Sequence, residues 1–256
     1  MDENKAIVGL INEVQFVKKF NENNNQAILD KMGISTNNVL AVHLKSKIYS
    51  EFHKKKVYPK SDIFLIENKI DRALLLKENF YLGENSKLLK DSLNDIYIPN
   101  SGISIKLKTN KYTIHKMGPT FFNNVFKISE LGAGASIYCT NNEDLIKNKY
   151  IYTAWGTSKE RVQNYFNETI DCNLKLNDLE DLKNIKKFSN ETIKKMIKDD
   201  ESISDLIFKG KYAQDPYCAS WIYDQKGFRK INTSEDFNVT TGSGRSKGIY
   251  TLVIKP

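Results

Sequence analysis

Cysteine, histidine and arginine are all scarce in this chain. The cysteines are Cys139, Cys172 and Cys218, odd in number, widely spaced and without a CxxC pair, and the only histidines are His43, His53 and His115. A disulfide framework and a structural zinc site are thereby excluded. No apolar run approaches the roughly 18 to 20 residues of a membrane span. The N-terminus MDENKAIVGLINEVQ is acidic and polar where a secretory signal would be basic and then apolar. The expectation is a soluble, cytoplasmic protein with no membrane partner. Also missing are a GxSxG elbow and any glycine pattern with the spacing of a phosphate-binding or dinucleotide loop, since Gly132-Ala-Gly134 and Gly242-Ser-Gly244 fit neither.

What is present suffices for one large or two small domains: 256 residues, 40% apolar and 27% charged. The 39 basic residues outnumber the 31 acidic ones, for a net charge of +8, which favours a polyanionic partner. Only four of the 39 are arginine, and the chain carries 27 asparagines, the signature of an AT-rich coding sequence, so distribution is more telling than total. Residues 45–60 hold Lys45, Lys47, Lys54, Lys55, Lys56 and Lys60 against the single acid Glu51. Residues 101–129 hold five lysines and no acid.

Along the chain, Ile7, Leu10, Ile11, Val14, Val17 and Phe20 recur at helical spacing, predicting an amphipathic helix over 4–20. A short helix over 26–32 ends at Gly33, and a third is expected over 38–52. After Tyr58-Pro59 the run Ile63-Phe64-Leu65-Ile66 reads as a buried strand. Ile103-Ser-Ile-Lys-Leu-Lys108 alternates strictly, a strand with Ser104, Lys106 and Lys108 on one face. A strand over 112–115 and a helix over 119–128 follow, then helices near 157–168, 178–187 and 190–208 and strands near 219–224 and 248–254. The pattern is α/β, a mixed sheet flanked by helices with an α+β C-terminal half. The glycines at 132–134 suggest a boundary between a core over 1–131 and a second half over 132–256.

Two segments carry chemistry together: Pro59-Lys60-Ser61-Asp62 entering one strand, and Gly102-Ile103-Ser104-Ile105-Lys106 on another. Phosphodiester hydrolysis needs a divalent cation on carboxylate and carbonyl oxygens and a cation or base that positions water. An aspartate at a strand start and a lysine on a neighbouring strand meet that need, with Ser104 on the same side as Lys106 and the Ile105 carbonyl beside them. The pattern P-x-S-D followed by apolar-S-x-K resembles the PD-(D/E)xK nuclease superfamily, and specifically its type II restriction endonucleases. The likeness covers residues 58–128, with a weaker echo in 241–248. Ser104 stands where the family pattern has a second acid, and 41 residues separate Asp62 from Ser104.

The resemblance implies a restriction-endonuclease-like core, Mg²⁺ dependence, double-stranded DNA as substrate and, in some assemblies, a homodimer. It assigns Asp62, Ser104 and Lys106 to catalysis and Asp62, the Ile105 carbonyl and Glu13 of the first helix to the metal. Lys60, Lys108, Lys111, Lys116, Ser243, Arg245 and Lys247 would contact DNA. A rival site starts at Asp95, if 95–98 and 103–108 form a hairpin about Pro99-Asn-Ser-Gly102. Two other functions stay open: a structure-specific repair or recombination nuclease, and a non-enzymatic basic nucleic-acid-binding protein.

Overall fold

The computed structural model describes residues 3–23, 25–36, 38–44, 46–52, 54–56, 58–67, 73, 97–106, 112–137, 149–170, 173–176, 178–210, 217–242 and 251–256. The first elements are α1 (Glu3–Asn23), α2 (Gln26–Met32), β1 (Val39–His43), α3 (Ser46–Phe52), β2 (Ile63–Glu67), β3 (Ile103–Lys106) and β4 (His115–Met117). Helices α4 (Pro119–Phe126), α5 (Ser129–Ser136), α6 (Lys149–Trp155), α7 (Lys159–Ile170), α8 (Leu179–Asp199) and α9 (Glu201–Lys209) follow. The chain closes on β5 (Trp221–Asp224), β6 (Gly227–Lys230), β7 (Asn238–Gly242) and β8 (Thr251–Lys255). The protein is mixed α/β, and no described helix is long and apolar enough to cross a membrane.

Two compact units divide the chain, Met1–Asn110 with Asp205–Asn232, and Lys111–Ser204 with Thr233–Pro256. The first holds a five-stranded sheet in the order β1-β2-β3-β5-β6, antiparallel throughout except for the parallel pair β3 and β5. The helix expected over 38–52 is a strand and a shorter helix. Every residue of Val39–His43 is buried, and a short apolar run covered on both faces carries no periodicity to mark it as strand. As the edge strand, β1 turns unpaired backbone groups outward. Asn21 of α1 meets them, its Nδ2 donating to the Ala41 carbonyl at 3.0 Å and its Oδ1 accepting from the Ala41 amide at 2.7 Å. Helix α1 buries Phe16, Val17 and Phe20 but leaves Leu10 and Ile11 nearly half exposed, so the stripe read from its sequence is not covered along its whole length.

Among the described residues, 97–98 and 103–106 do not pair with each other as the rival hairpin requires. Tyr97 bridges antiparallel to Ile66 and Ile103 to Ile63, so the residues before and after Pro99-Asn-Ser-Gly102 run along the same edge of β2. The turn is a bulge in that path. Ser101 fills it, its Oγ accepting from the Leu65 amide at 2.9 Å. Gly102 is required next, because a Cβ there would sit 1.8 Å from the Cys218 carbonyl oxygen.

In the second unit, β4, β8 and β7 form an antiparallel sheet, and the glycines at 132–134 lie inside a helix rather than a linker. Helix α5 is buried from Glu130 to Ser136 and packs against α4, α6, α7, α8, β7 and β8. Its small residues let large neighbours close in: a Cβ on Gly132 would lie 2.3 Å from the Trp155 ring, and one on Gly134 2.3 Å from Phe166 and 2.6 Å from Ser189 Oγ. Gly134→Ala is expected to destabilise the protein by about 2 kcal/mol, overpacking outweighing the roughly 1 kcal/mol helix preference of alanine. Gly9→Ala on α1, with nothing within 4 Å, is the matched control and should be neutral or stabilising. Thermal unfolding followed by circular dichroism separates the two. Helix α8 runs unbroken where two helices were expected: Ser189 is buried and bonds its Oγ to the Ile185 carbonyl at 2.7 Å. The break falls at Asp200, whose Oδ1 accepts from the Ser202 and Ile203 amides to cap α9.

Candidate functional site

The site lies where β2 begins. The Asp62 carbonyl accepts from the Leu44 amide at 2.9 Å, while its own amide donates to the Ile103 carbonyl at 2.8 Å. In a regular strand both groups would serve one neighbour, so Asp62 sits at a kink of the kind that re-aims a side chain. Just upstream, the Lys60 and Ser61 amides both donate to the Tyr217 carbonyl, at 2.8 and 3.1 Å, and fix the approach.

The kink turns the Asp62 carboxylate onto β3. Oδ2 accepts from the Ile105 amide at 2.7 Å, from Ser104 Oγ at 3.1 Å and from Lys106 Nζ at 3.3 Å. Asp62, Ser104, Ile105 and Lys106 are therefore brought together. Both members of the ion pair keep about a quarter of their side-chain surface in solvent, 24% for Asp62 and 28% for Lys106. Ser104 is buried, so the polar face of β3 is not the open solvated face its alternation suggested. Since the amide and carbonyl of a strand residue leave on the same edge, the Ile105 carbonyl emerges beside Asp62.

Lys60 supplies a second amine. Burial, then repulsion from Lys106, brings its pKa down to about 8, with Asp62 opposing. Its stem packs against Gly210, where a Cβ would lie 2.6 Å from Lys60 Cβ. The folded state thus disfavours a charge that the unfolded chain carries freely. Lys60→Met is expected to raise stability by about 2 kcal/mol at neutral pH, after solvent screening. The gain is full below pH 8 and disappears between pH 8 and 10.5, as the unfolded lysine also loses its proton. Unfolding curves of both proteins at pH 7 and at pH 10.5 measure it.

Glu13 is directed elsewhere. Its Oε2 lies 2.7 Å from His43 Nε2, and His43 is in register with Ile63, itself opposite Ile103. Residues in register share a face, so Glu13 serves the face opposite Ser104 and Lys106. The contact of Phe16 with Tyr223, which is in register with Ile105, puts α1 on that same face. The sequence attached no role to Asp224, which stands on β5 in register with Lys106. It is buried and paired, Oδ2 to Arg229 Nη2 at 2.9 Å and Oδ1 accepting from the Lys226 amide at 2.9 Å. Its turn motif is visible in the sequence, but its place beside Lys106 depends on a pairing across more than a hundred residues. Lys116 is exposed on β4 of the second unit. Lys108, Lys111, Ser243, Arg245, Lys247 and Asp95 lie outside the described residues.

No group of three or more His, Cys, Asp or Glu side chains gathers among the described residues as a metal cage. Mg²⁺ does not require one, since it is commonly held by one or two carboxylates with water and substrate phosphate completing the shell. The donors here are hard oxygens of that kind: the Asp62 carboxylate, whose Oδ1 meets no donor among the described residues, the Ser104 hydroxyl and the Ile105 carbonyl. They fit the ion. No protein-family model matches the chain, and no curated protein is significantly similar to it.

Proposed function

We propose that the protein is a Mg²⁺-dependent, site-specific endonuclease that cleaves double-stranded DNA, of the type II restriction class within the PD-(D/E)xK superfamily. The observation that carries this reading is the convergence of Ser104, Ile105 and Lys106 on one oxygen of Asp62. A mixed sheet flanked by helices and two lysine-rich stretches are consistent with it. A bound Mg²⁺ would supply Lewis-acid stabilisation of the phosphate charge.

The protein's own groups do the rest. Asp62 and the Ile105 carbonyl are the metal-facing oxygens. Ser104 holds Asp62 in its rotamer without adding charge. The Lys106 ammonium donates hydrogen bonds to the attacking water and the phosphate: water oxygen attacks phosphorus in line as its proton passes to solvent, the bond to the 3′ oxygen breaks, and that oxygen takes a proton from solvent, leaving 5′-phosphate and 3′-hydroxyl ends. Incubation of the full chain with unmethylated plasmid and phage DNA, with and without Mg²⁺, tests the proposal. Discrete fragments whose sequenced ends share one short motif support it, and DNA that stays intact in Mg²⁺ rejects it.

A further inference from the structure

Four residues before Asp62 the chain carries an aromatic ring that the fold leaves uncovered. Tyr58 is 70% exposed, matched among the described large apolar side chains only by Tyr150 of the second unit. Lys56 Nζ stands 4.9 Å from the centre of the Tyr58 ring, over its face. Lys54, Lys55 and Lys56 are all exposed. They are held in place by the end of α3: the Lys54 amide donates to the Glu51 carbonyl at 3.2 Å and the Lys55 amide to the Ser50 carbonyl at 3.1 Å, with Lys54 left-handed at φ 51°. Downstream, the hydrogen bonds that the Lys60 and Ser61 amides donate to the Tyr217 carbonyl hold the other end. Three cations and a ring are thus presented to solvent between two anchored points.

We infer that Lys54, Lys55, Lys56 and Tyr58 form a nucleic-acid contact in which the three lysines hold backbone phosphates and Tyr58 stacks on a base turned out of the duplex within about four base steps of the cleaved bond. The inference rests on the endonuclease reading for its substrate. Reach supports it: four residues span at most about 14 Å, or about four base steps of 3.4 Å, so Tyr58 meets the DNA close to the phosphate at Asp62. The chemistry supports it as well, because any base offers a π-face to an aromatic ring and lysines add charge without sequence preference. A lysine above the ring also adds a positive edge to the platform, which suits a partner with negative charge on its backbone.

The test measures binding in EDTA, so that cleavage plays no part. Its probes are a fluorescent duplex of about 30 base pairs, fully paired, and the same duplex with a short central mismatch bubble, in which turning out a base costs less. Wild type should prefer the bubble. Tyr58→Ala should lose about ten-fold on the bubble duplex and little on the paired one, while Tyr58→Phe keeps the preference. Changing Lys54, Lys55 and Lys56 together to alanine should lower the slope of log affinity against log salt by about 2.7 on paired DNA. Unchanged bubble preference in Tyr58→Ala, or an unchanged salt slope in the triple variant, overturns the inference. If wild type binds as stated and leaves plasmid DNA intact in Mg²⁺, the endonuclease reading falls and the contact stands.

Discussion

Lys106→Ala should bind duplex DNA nearly as well as wild type and cut it at least a hundred-fold more slowly. The amine lies 3.3 Å from Asp62 Oδ2, with about a quarter of its surface open to solvent. It is thus placed to act on whatever Asp62 holds, and it is one cation among many for binding. A group that acts on the developing charge is worth about 3 kcal/mol or more in the transition state and little in the ground state. Loss of a single phosphate contact would instead weaken binding and shift its salt slope by about one, with cleavage following binding. Measuring single-turnover cleavage and the affinity in Ca²⁺ or EDTA separates these outcomes, and cleavage within a few-fold of wild type would remove Lys106 from the active site.

The second large effect is at Asp62. Asp62→Asn keeps the size of the side chain and an oxygen for Ser104 and the Ile105 amide to donate to, yet removes the charge that a divalent cation needs. Cleavage should fall by about a thousand-fold or more and should not return at ten times the Mg²⁺ concentration. Asp95→Asn should remain largely active. The bulge at 99–102 stands where the turn of the rival hairpin was expected, with Tyr97 and Ile103 both on β2. A cleavage titration over Mg²⁺ for the two variants decides between them, and an inactive Asp95→Asn beside an active Asp62→Asn would move the site. Because Asp62 also interacts electrostatically with Lys60 and pairs with Lys106, the thermal unfolding of Asp62→Asn should be recorded alongside, so that a folding defect is not read as lost chemistry.

Asp62, Ser104 and Lys106 were legible because the signals that place them are local. A proline-led apolar run and a strict alternation of apolar and polar residues fix two strand faces within a few residues of Asp62 and Lys106. Glu13 was not legible in the same way. A glutamate beside the apolar stripe of α1 looks the same whether it turns to a metal or to His43, and the choice is made by the register of β1 on β2. Helix α5 was missed because Gly132 and Gly134 normally punctuate loops; here their missing side chains make room for Trp155 and Phe166, a packing demand that no neighbouring residue announces. The place of Asp224 was equally invisible, since it follows from β5 lying parallel to β3.

That parallel pair sets a timetable. The strand bearing Ser104 and Lys106 is flanked by β2 on one side and, on the other, by a strand that the ribosome makes more than a hundred residues later. At roughly 5 to 20 residues per second, the nascent chain carries Asp62 and Lys106 for something like 5 to 25 seconds before Trp221–Asp224 exists to cover the open edge of β3. Through that interval the edge is a bare template for pairing. A shortened chain ending anywhere before β5 would stay in that state permanently, with Asp62, Ser104 and Lys106 and no completed sheet to hold them.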